Sequence, residues 1–246
     1  MLKSEILRII YHQYHQWARR FSTACRPACS ACCTQNVTMT AVEGEEILIY
    51  ALREGLEKWL GDTLAASESA TPPPMTTNQF AAACLAGKEA SPEWSADYRP
   101  CPFLGDGLCR IYEARPFACR LFLSTTRCQP NGQPSGQPNG EAEMPAAYPG
   151  VASAICQIIE HLGQRQYWGN MLDVLLALLA RPAYEKIACR VPADKIAMAH
   201  GRLLIAQPSP GFLLDEQETA LASPLFAAIF VREVGDKTIG AILGGG

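Results

Sequence analysis

The 246-residue chain has few histidines, no cluster of basic residues and no long apolar run. Its longest apolar stretches, 174–180 and 225–231, fall far short of the ~20 residues that a membrane helix needs. No membrane partner is expected. The basic residues are scattered through a chain of net charge −3, so no phosphate-binding stripe forms and no nucleic-acid partner is expected. Charge arrives early, at Lys3, Glu5 and Arg8, with no apolar segment leading to a small-residue cleavage site. That pattern predicts a cytoplasmic protein. None of the four histidines stands by sequence beside a cysteine that it could activate, which weighs against nucleophilic cysteine catalysis. His12 and His15, three apart, have no acidic residue at metal-ligand spacing and are expected on a helix surface. A hydrophobic content of 48% excludes a disordered chain, and a chain of this length buries an ordinary core.

Cysteine, by contrast, is abundant, with eleven residues. A reduced compartment, an odd count and a chain too large to need stapling all argue against a disulfide scaffold. Clustered thiols in that setting are metal ligands or redox groups. The first set is Cys25, Cys29, Cys32 and Cys33, separated by Pro27 and the small residues Ala28, Ser30 and Ala31. Proline places these ligands on a loop, and small neighbours let the backbone approach an ion. A disulfide between the adjacent Cys32 and Cys33 would be strained. Such a pair better serves two metals, or a metal and a redox step. The second set is Cys101, Cys109, Cys119 and Cys128. Here Gly105-Asp106-Gly107 reads as a tight turn, and Pro116 as the first turn of a helix whose amides would favour a Cys119 thiolate. Arg110, Arg115 and Arg120 would offset the negative charge of a thiolate-bound metal. Cys84, Cys156 and Cys189 stand alone and are expected outside the site.

The periodicity predicts a mainly α fold: a small, loop-rich, metal-organised cysteine-cluster domain packed with amphipathic helices. Apolar residues at Leu2, Ile6, Ile10, Tyr14, Trp17 and Phe21 predict a helix over 2–22. Val37 and Met39 suggest a short strand. Thr40 and Glu43 form a capping-box pattern opening a helix that runs to about Leu60, with Arg53–Glu57 and Glu54–Lys58 pairs outside. Residues 65–78 read as a stiff linker, followed by a short helix over 80–87. The threefold Gln-Pro-Asn/Ser-Gly repeat at 129–140 cannot bury a core and reads, with the residues to Gly150, as a flexible linker. Helices are expected over 151–162 and 170–180, the second capped by Asn170 and stopped by Pro182. Residues 191–246 suggest short helices with a loop at 207–211. The division is thus 1–128 for the metal-binding domain, 129–150 for the linker and 151–246 for a helical region.

Thiolate-only sites select zinc, iron–sulfur clusters or cuprous copper. Eight cysteines allow two four-thiolate sites, a two-metal site, or one cluster with spare thiols. Cys29-x2-Cys32 supplies one zinc-type knuckle, but the second set is spaced too widely for a zinc ribbon. Cys25-x3-Cys29-x2-Cys32 has the spacing of radical S-adenosylmethionine enzymes. Against that reading, Ala31 stands where those enzymes carry an aromatic residue, and no strand–helix series follows.

From Cys25 to about Cys128 the chain resembles the YkgJ-like proteins, known for a Cys-x2-Cys-x2-Cys-Cys cluster and described as zinc- or iron-chelating. Cys25, Cys29, Cys32 and Cys33 fit the opening motif, with one more residue between the first two than many members have. Cys101-Pro-Phe-Leu, Cys109-x-Ile-Tyr and Arg115-Pro-x-x-Cys119-Arg120 fit the closing motif. The resemblance implies a zinc ion or an iron–sulfur cluster held by these cysteines, with Arg115 and Arg120 supporting the bound group. It implies metal ions as partners and leaves a protein partner open. Some flagellin lysine N-methylases resemble the same cluster, so the alternative is an iron–sulfur enzyme, an oxidoreductase or a protein-modifying one.

Overall fold

A computed structural model describes residues 2–26, 28–90, 99–128 and 143–244. Most of the 129–150 linker expectation therefore lies outside the described residues. The fold is mainly α. Helix α1 (Leu2–Ala18) buries Ile6, Leu7, Ile10, Tyr14 and Trp17 at helical spacing. Leu2 is exposed, and Phe21 lies beyond the helix end, with its ring centroid 5.1 Å from that of Trp17.

Strand β1 (Thr38–Thr40) leads into α2 (Ala41–Arg53) through the expected capping box. Glu43 N donates to Thr40 Oγ1 at 3.3 Å, and Thr40 N donates to Glu43 Oε2 at 2.8 Å. The helix does not continue to Leu60. Gly55 adopts φ +67°, the left-handed conformation that ends helices, and α3 (Glu57–Ala66) begins afresh. The break also changes the ion pairs. Arg53 meets Glu54 at 2.8 Å and Lys58 meets Asp62 at 2.7 Å, not the partners that one continuous helix would supply. After a proline-containing turn with Pro73 buried, α4 (Thr77–Leu85) opens with a second capping box, Thr76 with Gln79.

Beyond the cysteine region lie α6 (Tyr148–Leu162), β4 (Tyr167–Asn170), α7 (Met171–Leu178), α8 (Glu185–Ala188) and α9 (Ala193–His200). Between α4 and α6 fall β2 (Leu104–Gly105), β3 (Leu108–Cys109) and α5 (Phe117–Arg120), which belong to the site described below. The chain ends with β5 (Leu204–Ile205), α10 (Glu216–Phe230), β6 (Glu233–Val234), β7 (Lys237–Thr238) and α11 (Ile239–Gly244). Helix α6 starts three residues earlier than the sequence suggests, and α10 is a full-length helix with Pro224 inside it.

Antiparallel pairing joins β1, β4 and β5 into one sheet, with Met39 opposite Gly169 and Trp168 opposite Leu204. Asn170 works at both ends of this join. Its Oδ1 accepts from Leu172 N at 3.0 Å, capping α7, and its Nδ2 donates to Gln35 O at 2.8 Å. Asn170 is buried, so losing either bond would strand a desolvated group.

Two apolar clusters fill the interior, and each joins residues that precede Cys101 to residues that follow Cys128. One packs α2 and α3 with α7, Phe103 and Ile111. The other packs α1 with α6, α10, Phe117 and Leu123. Phe103, Ile111 and Phe117 thus anchor the second cysteine region from beneath.

Candidate metal centre

After α1 the chain runs as turns and coil through the first cysteine set. Small local hydrogen bonds shape it: Cys29 N donates to Arg26 O and Cys33 N to Ser30 O, each at 3.0 Å. Ala28 sits at φ +64°, a left-handed turn that a small side chain tolerates better than a branched one.

The backbone then joins the two sets. Cys101 N donates to Cys33 O at 3.0 Å, Gln35 N donates to Arg99 O at 2.9 Å, and Thr34 bridges Pro100 in antiparallel fashion. Segments 33–35 and 99–101 therefore lie side by side, with Cys33 against Cys101. A second tie, Ala24 N to Ser124 O at 2.7 Å, brings the residue before Cys25 to the stretch leading to Cys128.

Within the second set, β2 (Leu104–Gly105) and β3 (Leu108–Cys109) form a hairpin that pairs Leu104 with Cys109. Its two-residue turn, Asp106-Gly107, has positive φ at both positions, the geometry that favours Asp-Gly. The turn reverses the chain so that Cys109 returns toward Cys101. A 3-10 turn over Tyr112–Ala114 and the extended residue Pro116 then lead into α5 (Phe117–Arg120), which carries Cys119.

The amides at the start of α5 do not serve the Cys119 thiol as the sequence suggests. Phe117 N donates instead to the buried Glu43 Oε1 at 2.7 Å. Burial and the neighbouring Cys101, Cys109 and Cys32 push the Cys119 thiol far above its ordinary value, and Arg115 opposes them. Burial likewise pushes Cys101 up to about 11 and raises Cys109. A hydrogen bond with the Cys33 thiol holds Cys32 well above the usual range. In the metal-free chain these groups are therefore neutral thiols, and an ion that binds them must displace protons.

Cys32, Cys109 and Cys119 lie near Arg115, and Cys101 lies near Cys109 and Cys119. Cys119 lies within electrostatic reach of the other three, and Arg115 within reach of Cys32, Cys109 and Cys119. Cys25, Cys29, Cys33 and Cys128 line a separate open pocket of about 370 Å³, together with Arg26 and Arg127. Cys32 touches both groups, through its bond to Cys33 and its proximity to Cys25.

All eleven cysteines are free thiols. Among the described residues, no three Cys, His, Asp or Glu side chains are set to hold a metal ion as they stand. The backbone brings the two sets together, and an ion would still have to draw the sulfurs inward by rotamer changes. The donors suit zinc or iron: they are soft sulfurs, free of disulfides, with a cation close by.

The arginines divide by role. Arg115 donates from a guanidinium nitrogen to Tyr112 O at 2.7 Å and lies 3.6 Å from the Tyr112 ring centre, beside the inner thiols. Arg120 is spent elsewhere. It donates to Arg115 O at 2.8 Å and to Glu113 O at 2.7 Å, and lies over Tyr11. Arg120 thus fixes the backbone that presents Arg115. Arg110 lies over Trp59 at 4.6 Å.

Glu43 does more than sequence patterning indicates. Beyond its own helix cap, it accepts from Tyr11 Oη at 2.8 Å and from Phe117 N, tying α1, α2 and α5 together. Its Thr-x-x-Glu signature reveals only the first task.

The lone cysteines stay apart. Cys84 lies in α4, Cys156 packs among the α1–α6 residues, and Cys189 Sγ faces Lys186 O at 3.5 Å. His161 Nδ1 accepts from Ser209 N at 3.0 Å. Among the described residues, no helix is long and apolar enough to cross a membrane.

Residues 24–141 match the family model named CxxCxxCC, described as a "putative zinc- or iron-chelating domain". Comparison with curated proteins and with solved structures returns no match.

Proposed function

We propose that the chain, whose residues 24–141 match the CxxCxxCC model of a zinc- or iron-chelating domain, binds metal through two sets of cysteines. The ligands are Cys25, Cys29, Cys32 and Cys33 from the first set, and Cys101, Cys109, Cys119 and Cys128 from the second. The bound group is a zinc ion or an iron–sulfur cluster, either of which thiolates hold well. The observation that supports the reading is the short ladder between 33–35 and 99–101, which sets the backbones of Cys33 and Cys101, from distant parts of the chain, side by side.

Each thiol surrenders its proton on binding, so the loaded centre is anionic. Arg115 offsets that charge from the inner side, and Arg120 holds Arg115 in place. A cytoplasmic setting keeps the thiols reduced and available. Because the loop 24–36 has little core of its own, metal binding there is also folding energy.

Elemental analysis and a visible spectrum of protein prepared without air test this. Zinc in colourless protein, or iron in brown protein, is the expected result. Serine at Cys29, Cys32, Cys101 or Cys119 should lower both metal content and Tm, while serine at Cys84, Cys156 or Cys189 should leave the metal in place. Unchanged metal in all four of the first variants would overturn the ligand assignment.

A further inference from the structure

The eight cysteines do not fall into sites by their order in the chain. We infer that they form two unlike four-thiolate metal sites, each mixing both sets: a closed inner site and an open, exchangeable outer one. The inner site is Cys32, Cys101, Cys109 and Cys119. The outer site is Cys25, Cys29, Cys33 and Cys128. This inference rests on the proposed metal-binding reading and adds the partition and the difference in access.

Three independent features support the division. First, the pocket of about 370 Å³ is lined by Cys25, Cys29, Cys33 and Cys128 and by none of the other four. Second, the supports differ. Cys101, Cys109 and Cys119 ride on the ladder with Cys33, a hairpin and a short helix, and pack against the apolar cluster containing Phe103 and Ile111. Cys25, Cys29 and Cys128 sit on coil, held by the Ala24–Ser124 bond and by contacts of Ser124 and Thr125 with Glu143. Third, Cys25 and Cys29 are exposed and Cys101, Cys109 and Cys119 half-buried, while the adjacent pair crosses that trend, Cys32 being exposed and Cys33, like Cys128, half-buried.

The adjacent pair Cys32–Cys33 acquires a purpose in this arrangement. Consecutive residues cannot both turn easily toward one ion, but one can serve each of two neighbouring ions. Their Cα atoms are about 3.8 Å apart across a trans peptide, so the two ions would be close and share one backbone link. Four-coordinate sulfur suits either site. Access then separates their behaviour. An incoming small thiol or chelator reaches the outer ion through the pocket, with Arg26 and Arg127 at its rim favouring an anionic ligand. Three ligands of the inner ion pack against the apolar cluster, which leaves that ion less open to exchange. On this partition the inner ion holds the fold and the outer ion is the one passed on or acquired.

Cobalt(II) titration of the metal-free full-length chain, followed by zinc loading and release to a coloured chelator, tests the division. Two equivalents of cobalt should give tetrahedral thiolate absorption, and zinc should leave in two phases of equal amplitude. The double variant Cys25→Ser, Cys128→Ser should lose half the cobalt and the fast phase, with a smaller fall in Tm than the inner variant shows. The double variant Cys101→Ser, Cys119→Ser should lose the slow phase and lower Tm. If the second variant fails to fold, the first decides alone. A single equivalent of metal that every one of the eight cysteines is needed to hold would overturn the partition and leave the metal-binding reading intact. So would metal loss from the outer variant that halves both phases. No uptake of cobalt, zinc or iron at all would instead overturn the metal-binding reading itself.

Discussion

Truncating Glu43 would strip an acceptor from three parts of the chain at once: the start of α2, the start of α5 and the Tyr11 hydroxyl of α1. A buried donor left without a partner costs about 1–3 kcal/mol, and these losses share one side chain and so do not simply add. Glu43→Ala should therefore destabilise the protein by about 3 kcal/mol. It should also weaken metal retention, because α5 carries Cys119, although no atom of Glu43 need touch the ion. Chemical unfolding paired with metal analysis checks both effects. Full stability with unchanged metal would show that α5 is held by packing of Phe117 alone. The capping role was legible from Thr40 and Glu43 three residues apart. The bond to Phe117 was not, because the two residues are 74 apart in sequence and only the tertiary fold brings them together. The arginines illustrate the same limit. Arg110, Arg115 and Arg120 look equivalent in sequence, yet only Arg115 lies beside the inner thiols, the others being drawn to Trp59 and Tyr11.

At the level of elements, local chemistry was a good guide where one residue type has one geometric use. Asp106-Gly107 marked the hairpin turn, Asn170 marked the start of α7, and alternating Val37 and Met39 marked a strand. It was a poor guide where a residue has two uses. Gly55 reads as a weak helix interior but takes the left-handed conformation and ends α2. Gly61 is the opposite case, a helical glycine retained for close approach. A methyl group there would meet Ile187 O at 2.9 Å and Arg190 Cβ at 2.8 Å, where α3 lies on the α8 region. Helix propensity would favour Gly61→Ala by about 1 kcal/mol, but a collision with backbone cannot relax by a rotamer change. The expected outcome is a net loss of about 1–2 kcal/mol, seen as a lower Tm, with metal content unchanged because no cysteine of either group lies on α3. A higher Tm would mean that α8 shifts freely away.

For the molecule as a whole, the two cysteine-bearing segments do not sit on a core of their own. Strand β1, immediately after the first cysteine set, pairs with β4, and Asn170 reaches back across 135 positions to Gln35 O. The second cysteine region rests on residues from α2 and α7, and Phe117 on residues from α1, α6 and α10. Cysteine spacing made the candidate ligands legible, since thiol clusters have few other uses in a reduced protein. The sheet and the shared cores were not legible, because strands of two to four residues leave almost no periodic trace. The account's central claim is that sulfurs from both sets close around bound metal together. Thiol alkylation of metal-loaded and metal-stripped chain, read peptide by peptide by mass spectrometry, tests it most directly. The account predicts that loading protects cysteines of 25–33 and of 101–128 together while leaving Cys84 and Cys189 unchanged. Protection confined to one set, with the other alkylated at the same rate in both forms, would contradict it.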